Sequence, residues 1–255
     1  MQYSKQFIDA LQFMWGKGFL SPGGPEEVED MLRGHDISGK RVLDIGSGLG
    51  GIDLLLATQH GAGEVVGIDV EGELVEASAE LIQSAGLTGK VQFLLVEPGP
   101  LPFPDQSFEL AFSKDAIVHI PDKAALYSEV LRILKPGGAF IAADWLWADG
   151  AASSHVVQEW LSKGPLNFVF TTPKQAADEL RQAGFTHVVV KDRRHLLQIS
   201  NRKEIKILEG PARERLASIV GQDMALARLS SARGRQGALD SGDLIPSHFI
   251  GRAPG

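Results

Sequence analysis

Short apolar runs alternate with helical patterns along the middle of the chain. The apolar runs at residues 41–45, 65–68, 91–96, 108–112 and 139–144 predict five strands. The spacing of apolar residues between them predicts helices at 52–59, 74–85 and 123–134. Such alternation is typical of a parallel sheet with helices on both faces, where ligands lie beyond the carboxyl ends of the strands. The pattern therefore predicts an α/β, doubly wound fold.

The two ends of the chain are more helical. Residues 3–15 place their apolar side chains on one helical face, and Pro25 with two glutamates opens a second helix. Residues 172–183 predict another helix, residues 186–191 a sixth strand, and residues 248–251 the last of seven strands in a Rossmann-like sheet. Residues 203–233 are helical and rich in Arg and Glu, which we interpret as a solvated face or an oligomer contact.

This pattern predicts a domain organisation with two additions to the sheet. We expect a main domain over residues 36–255 that carries a helical insertion at about 200–240, before the last strand. Residues 1–35 form a separate N-terminal helical segment in this interpretation. This segment either covers a cofactor as a lid or simply packs on the sheet.

Composition narrows the function classes. A chain of 255 residues that is 44% hydrophobic suits one sizeable globular domain. It contains no cysteine, which excludes disulfides and cysteine-zinc sites, and no metal-ligand cluster is evident. The first ten residues lack a signal-peptide pattern and no apolar run is long enough for a membrane span, so we expect a cytoplasmic location without a membrane partner. A net charge of −7 disfavours nucleic acid as a partner.

The first candidate site follows the first predicted strand. Residues 42–51 lead from an apolar run through Gly46, Gly48 and Gly50 into a helix, and glycine there permits left-handed backbone and close approach to N–H donors. Asp69 ends the second strand, near the spacing expected of a carboxylate that binds a ribose hydroxyl. Asp44, just before the turn, would repel a phosphate, which argues against a dinucleotide. A purely structural glycine turn is the alternative.

This strand and glycine turn resemble motif I of class I S-adenosylmethionine (SAM) methyltransferases. The resemblance implies SAM as the cofactor and S-adenosylhomocysteine as its product, with the glycine backbone near the methionine moiety and Asp69 on the ribose. It also implies an acid near the adenine after the third strand, a position held here by Glu97, which is otherwise a surface acid in a turn. The residues that we expect to bind the cofactor are Trp15, Asp44, Gly46, Ser47, Gly48, Gly50, Asp69, Val70, Glu97, Ser113 and Lys114.

Polar residues cluster after the fourth predicted strand, at residues 113–123. His119 follows the strand, lies near Asp115 in the sequence, and titrates close to neutral pH. Methyl transfer needs alignment, exclusion of water and a free lone pair on the acceptor, and a histidine can remove the proton that occupies this lone pair. The alternative is that His119 caps the next helix or fills space.

Residues 113–120, with Trp15-Gly16 and residues 19–24, resemble the phosphoethanolamine and glycine/sarcosine N-methyltransferases. The resemblance implies that His119 takes part in catalysis, that Asp115 binds the acceptor amine and that Lys114 lies near the cofactor tail. One departure is Leu11, which stands where the phosphobase branch pairs its histidine with a tyrosine.

Aromatic residues after the fifth strand suggest an acceptor pocket. Aromatic faces attract methylated ammonium groups, so the tryptophans here suit an amine acceptor, although core packing is the alternative. The expected substrate-binding residues are Phe19, Asp144, Trp145, Trp147 and Trp160. The chain has two tyrosines, and Gly164-Pro165 replaces the basic phosphate site of the phosphobase branch, which argues against a phosphorylated acceptor.

The sequence thus predicts metal-independent transfer of a methyl group from SAM to a small-molecule acceptor, with an amine favoured. An O- or C-methyltransferase of a small metabolite is one alternative, and a SAM-binding protein without turnover is another. The sequence leaves open the identity of the acceptor, the number of methyl groups added and the oligomeric state.

Overall fold

Seven strands form one sheet in the computed structural model, which describes residues 4–163 and 166–255. They are β1 (Arg41–Ile45), β2 (Glu64–Asp69), β3 (Val91–Leu95), β4 (Phe108–Lys114), β5 (Leu134–Trp147), β6 (Thr186–Asp192) and β7 (Leu244–Arg252). Their order is β3-β2-β1-β4-β5-β7-β6. Strands β1 to β5 are parallel, and β7 runs antiparallel to both β5 and β6. The predicted seven-stranded α/β fold is confirmed.

Ten α-helices accompany the sheet in the described ranges. They are α1 (Lys5–Trp15), α2 (Gly24–Leu32), α3 (Gly51–Thr58), α4 (Gly72–Ser84), α5 (Lys123–Ile133), α6 (His155–Leu161), α7 (Pro173–Ala183), α8 (Arg194–Glu209), α9 (Ala212–Val220) and α10 (Gln222–Asp240). Helices α8 to α10 lie between β6 and β7, where a helical insertion was predicted. Helix α6 was not predicted, because only seven residues carry its pattern. Among the described helices, none is both long and apolar enough to cross a membrane.

The core has two main layers, one on each face of the sheet. Successive side chains of a strand point to opposite faces. In β1, accordingly, Leu43 and Ile45 join the cluster that packs on α5 and α7, while Val42 joins the cluster that contains α2 and α3. Both layers are buried, which explains why the central strands are apolar almost without interruption.

Strands β5 and β7 extend several residues beyond their predicted bounds. Strand β5 starts at Leu134 rather than residue 139, and its pairing with β4 shifts register between Phe108 and Leu110. The sequence Lys-Pro-Gly-Gly at residues 135–138, which is typical of a turn, lies within the strand as an irregularity. Strand β7 starts at Leu244 and includes Pro246, which breaks the apolar alternation that sequence analysis depends on.

Candidate functional site

The candidate site lies along the carboxyl edge of the parallel strands. The glycine turn follows β1, Asp69 ends β2, Lys114 ends β4, and Trp145 and Trp147 lie at the end of β5. Because these strands are parallel, their carboxyl ends meet at one edge of the sheet. The fold therefore brings together the segments that carry most of the predicted site residues.

The glycine turn is held against β2 by backbone donors. Gly46, Gly48 and Gly50 have φ values of 76°, 55° and 78°, a region that disfavours any side chain. The Gly46 and Ser47 N–H groups both donate to the Ile68 carbonyl, at 2.9 and 3.0 Å. The Gly48 N–H donates to Asp69 Oδ2 at 2.9 Å. Asp69 thus contacts the turn directly, and its expected role at a ribose stays a prediction.

Buried polar atoms beside this turn lack partners within the described part of the chain. They are both carboxylate oxygens of Asp44, Ser47 Oγ, and both carboxylate oxygens of Asp53 on α3. Burial raises the pKa of Asp44 to about 7 and that of Asp53 well above its usual value, and the nearby Asp69 charge raises both further. Buried polar groups normally have hydrogen-bond partners. The Asp44 and Asp53 carboxyls lie against each other and can share a proton. Asp44 and Ser47, beside the left-handed glycines, fit a ligand that brings its own polar groups, as the amino acid tail of SAM would.

Asp53 was missed by the sequence analysis. It lies on the buried face of α3 among Leu55, Leu56 and Ala57. An acid within an otherwise apolar helix stripe is the signal that could have found it.

Lys114 joins the end of β4 to the N-terminal segment. Its ammonium donates to Ser21 Oγ at 2.9 Å, to the Pro22 carbonyl at 2.6 Å and to Asp115 Oδ2 at 2.5 Å. Glu27 Oε2 lies 3.1 Å away, and the Lys114 side chain is fully buried. Burial lowers the pKa of Lys114, but the two carboxylates outweigh burial and hold this pKa above its usual value. Because all these partners are protein groups, a role at the cofactor tail stays a prediction.

The N-terminal segment also covers the glycine turn. The Gly51 N–H donates to the Gly18 carbonyl at 3.2 Å, and the Leu20 side chain lies over Gly48. Residues 18–22 therefore contact both the turn and the end of β4.

A cavity of about 270 Å³ lies next to these segments. Its walls come from α1, the end of β4, β5, α6, residues 166–168 and α10. Five predicted site residues line it: Trp15, Asp115, His119, Trp145 and Trp160. The structure thus brings the two predicted catalytic residues together with three of the four tryptophans.

His119 has a fixed tautomer. Its Nδ1 lies 2.8 Å from the Asn167 carbonyl, which can only accept a hydrogen bond, so Nδ1 carries the proton. The neutral ring then keeps the Nε2 lone pair. Burial lowers the pKa of His119, although the Asn167 carbonyl and the Asp115 charge oppose this. His119 is therefore neutral at pH 7 and suited to accept a proton.

Stacked aromatic rings form one wall of the cavity. The rings of Trp145, Trp160 and Phe168 lie 5.6 to 5.9 Å apart, with interplanar angles of 22° to 25°. Phe168 also lies 5.2 Å from the His119 ring. The aromatic wall of the cavity therefore extends to His119, the candidate general base.

Three predicted substrate residues lie outside this cavity lining, and their role in acceptor binding stays a prediction. Phe19 packs against the core layer of α2 and α3. Trp147 stacks on Phe170 at 4.9 Å. Asp144 is buried and accepts hydrogen bonds from the Val118 and Trp145 N–H groups, both at 2.6 Å. Burial raises the pKa of Asp144 to about 8, although the two N–H donors lower it. The hydrogen bond from the Val118 N–H positions the turn that carries His119.

Three predicted cofactor residues are not joined to the glycine turn by any hydrogen bond in the described ranges. Ser113 is buried and donates to the Ile45 carbonyl at 2.8 Å, which uses its hydroxyl within the sheet. Val70 and Glu97 are exposed beside the ends of β2 and β3. Their cofactor contacts stay predictions.

The insertion supplies residues that the sequence analysis assigned to a solvated face. Arg228 and Arg235 are buried, line the cavity and share the buried carboxylate of Glu204. The interpretation of residues 203–233 as a solvated face or an oligomer contact is therefore wrong for Arg228 and Glu204, and Arg235 lies just beyond that range. The two arginines lie seven positions apart on α10, on the same face as buried Ala225 and Ala232. That spacing is the signal that could have found them. In the described ranges, no three His, Asp or Glu side chains are grouped to hold a metal ion.

Fold and site together define a Rossmann-like domain with a glycine turn at the carboxyl edge of its parallel strands. A family model for a methyltransferase domain matches residues 36–191, and the chain belongs to this family. Phosphoethanolamine N-methyltransferase 1 from Arabidopsis thaliana is 29% identical over 231 residues, which cover 87% of this chain and 46% of that protein. This chain spans about half the length of the curated relatives that it matches first.

Solved structures share the fold across the whole chain. Phosphoethanolamine N-methyltransferase 2 from Haemonchus contortus, in complex with phosphomonomethylethanolamine and S-adenosylhomocysteine, gives a TM-score of 0.92 at 24% identity. That match covers 100% of this chain and 58% of the other. A cyclopropane synthase from Mycobacterium tuberculosis gives 0.77 at 14% identity and covers 98% and 94%. These similarities show a shared fold.

Proposed function

We propose that this protein transfers the methyl group of SAM to the nitrogen of a small amine held in the aromatic cavity. The observation that carries this proposal is the His119 tautomer, fixed by the Asn167 carbonyl, on a cavity wall shared with Asp115 and the stacked tryptophans. The name of the Arabidopsis relative and the bound product in the Haemonchus structure support the same donor and an amine acceptor. A cytoplasmic location also stays a prediction.

The residues of the chain have separate tasks in this proposal. Asp44, Ser47 and Gly48 would hold the methionine part of SAM, and Asp69 would hold the ribose. SAM supplies a methyl group on a sulfonium, a leaving group that needs no metal. The N–C bond forms as the S–C bond breaks, and His119 Nε2 takes the proton that the acceptor nitrogen gives up. Asp115 orients the acceptor amine, and the tryptophan faces favour its cationic methylated product.

Cofactor binding is the first part to test. Calorimetry of the full chain should show micromolar binding of SAM and S-adenosylhomocysteine. Asp69→Ala should weaken this binding at least tenfold, whereas Glu73→Ala, at an exposed acid in the first turn of α4, should leave it unchanged. No binding to the wild-type chain would remove the methyltransferase proposal and leave the glycine turn a structural role.

Turnover is the second part. Amines including ethanolamine, glycine and their methylated derivatives should be screened for methyl transfer by mass spectrometry, which also separates N- from O- and C-methylation. With any acceptor found, His119→Ala should lower kcat by about 10²- to 10⁴-fold, the usual contribution of a general base. His155→Ala, at an exposed histidine of α6, is the matched control. Equal rates in the two variants would refute the assignment of His119, and loss of activity on chelation would refute metal independence.

A further inference from the structure

The cavity is apolar over most of its wall. Thirteen of the twenty residues that line it are apolar, including Phe7, Leu11 and Trp15 of α1 and Met224 of α10. A ligand made only of small charged groups would lose its hydration there without gaining contacts of matching polarity. The wall therefore suits a ligand with an apolar body.

The volume agrees with a ring-sized ligand. A dry engineered cavity of about 150 Å³ accommodates benzene. This cavity measures about 270 Å³. It is large enough for one aromatic ring system and a short chain.

The α10 side of the wall carries an excess positive charge. Arg228 and Arg235 both pair with the single carboxylate of Glu204, at 2.5 Å for Arg228, and all three side chains are at most 5% exposed. Arg235 has a second partner, Asn201 Oδ1 at 2.6 Å. Arg228 Nε lacks a partner among the described residues, and the Arg228 guanidinium lies 4.6 Å from the centre of the Trp15 ring. Two buried cations against one carboxylate leave one positive charge unbalanced.

Other charges on the wall do not supply the missing anion. Asp115 is paired with Lys114 at 2.5 Å, on the side of the cavity formed by β4. Lys163 is a further cation and pairs with Glu159 at 2.8 Å. Among the described residues Glu204 is the carboxylate that pairs with Arg228, so an acidic group of the ligand would supply a further anion for it.

We propose that the acceptor is an amine that carries both an aromatic ring and an acid group. Its ring lies against the tryptophans, its nitrogen at His119 and Asp115, and its acid group at Arg228. This inference rests on the proposed function, because it concerns the acceptor of the same site.

Four simple probes separate the ring from the acid group. Phenylalanine has both, phenethylamine has the ring alone, glycine has the acid alone, and methylamine has neither. Their binding to the full chain should be measured by calorimetry with S-adenosylhomocysteine present, and repeated without it. We expect phenylalanine to bind at least tenfold more tightly than each of the other three. Phosphoethanolamine, as a fifth probe, tests for a small phosphorylated amine.

Variants on α10 test the assignment of Arg228. Arg228→Gln leaves Glu204 paired with Arg235, so this variant should fold, and it should lose the advantage of phenylalanine over phenethylamine. Arg228→Lys should restore part of that advantage. Arg233→Gln is the matched control, since Arg233 lies on the same helix, is 59% exposed and pairs with Glu209. Thermal unfolding of each variant checks that it is folded.

Each outcome supports or overturns the inference. Binding of any other probe that is as tight as that of phenylalanine, or tighter, overturns it while the methyltransferase proposal stands. If Arg228→Gln weakens the binding of phenylalanine and of phenethylamine equally, only the role assigned to Arg228 is overturned. Failure of the methyltransferase proposal is recognised separately, by the lack of SAM binding.

Discussion

Lys114 Nζ lies 3.1 Å from Glu27 Oε2, so an ion pair joins the last residue of β4 to α2. Glu27 also lies 3.2 Å from His248 Nε2 on β7. One carboxylate thereby links the N-terminal segment to two neighbouring regions of the sheet edge. The segment that covers the glycine turn is thus held by charge as well as by apolar packing.

Replacing Lys114 should destabilise the protein strongly. Lys114→Met leaves the Glu27 and Asp115 carboxylates without their cation, and breaking a buried pair in this way costs about 3–5 kcal/mol. Urea unfolding should show this loss, and limited proteolysis should cut the N-terminal segment faster than in the wild type. Lys174→Met, which removes an exposed partner of Asp178, should change stability little. A Lys114 variant as stable as the Lys174 variant would show that the pair does not hold the segment.

Glu27 should make stability fall at acid pH. Burial raises its pKa, but Lys114 and His248 outweigh burial and lower the pKa from 4.5 to about 2. A carboxyl whose folded pKa is lowered stabilises the protein above its unfolded pKa, and this contribution is lost as pH falls from about 4.5 to 2. The shift corresponds to roughly 3 kcal/mol.

Glu27→Gln tests this contribution. Free energies of unfolding measured by urea between pH 6 and 2 should fall less steeply in this variant than in the wild type. Glu26→Gln, at an exposed neighbour on the same helix, should retain the wild-type slope. Identical slopes for wild type and Glu27→Gln would contradict the assigned pKa.

Gly46 tests the glycine turn itself. A Cβ added there would clash with the Cβ of Ala116, and φ is 76°. Gly34 has a similar φ of 82°, but a Cβ there meets nothing within 4 Å. Both alanine variants should carry the backbone cost of about 1–2 kcal/mol. Gly46→Ala should in addition weaken S-adenosylhomocysteine binding by calorimetry, whereas equal binding by the two variants would argue against a cofactor at the turn.

Much of the fold and part of the candidate site could be predicted from local sequence patterns. The glycine turn, Asp69 and the central strands each depend on a few consecutive residues, and the structure places the turn and Asp69 in contact. His119 and Asp115 follow one strand, so their shared position on the cavity wall also follows from local sequence.

What the sequence did not predict depends on distant partners. Lys114 is 87 positions from Glu27, and Glu204 is 24 positions from Arg228. Arginine and glutamate in a helix usually face solvent, so their burial in the insertion could not be read from composition. Asp144 was expected to bind the acceptor, and its carboxylate accepts hydrogen bonds from the backbone N–H groups of Val118 and Trp145.

The activity should fall at acid pH because His119 must be neutral to act as a base. Burial lowers its pKa below the usual 6.5, so the acid limb of kcat/KM should have its midpoint below that value. The Asp115 charge raises the pKa of His119, so Asp115→Asn should move the limb to lower pH, besides weakening acceptor binding. Asp149→Asn, at an exposed acid after β5, should leave the limb in place. A limb that stays unchanged or moves to higher pH in Asp115→Asn would show that the titrating group is not His119.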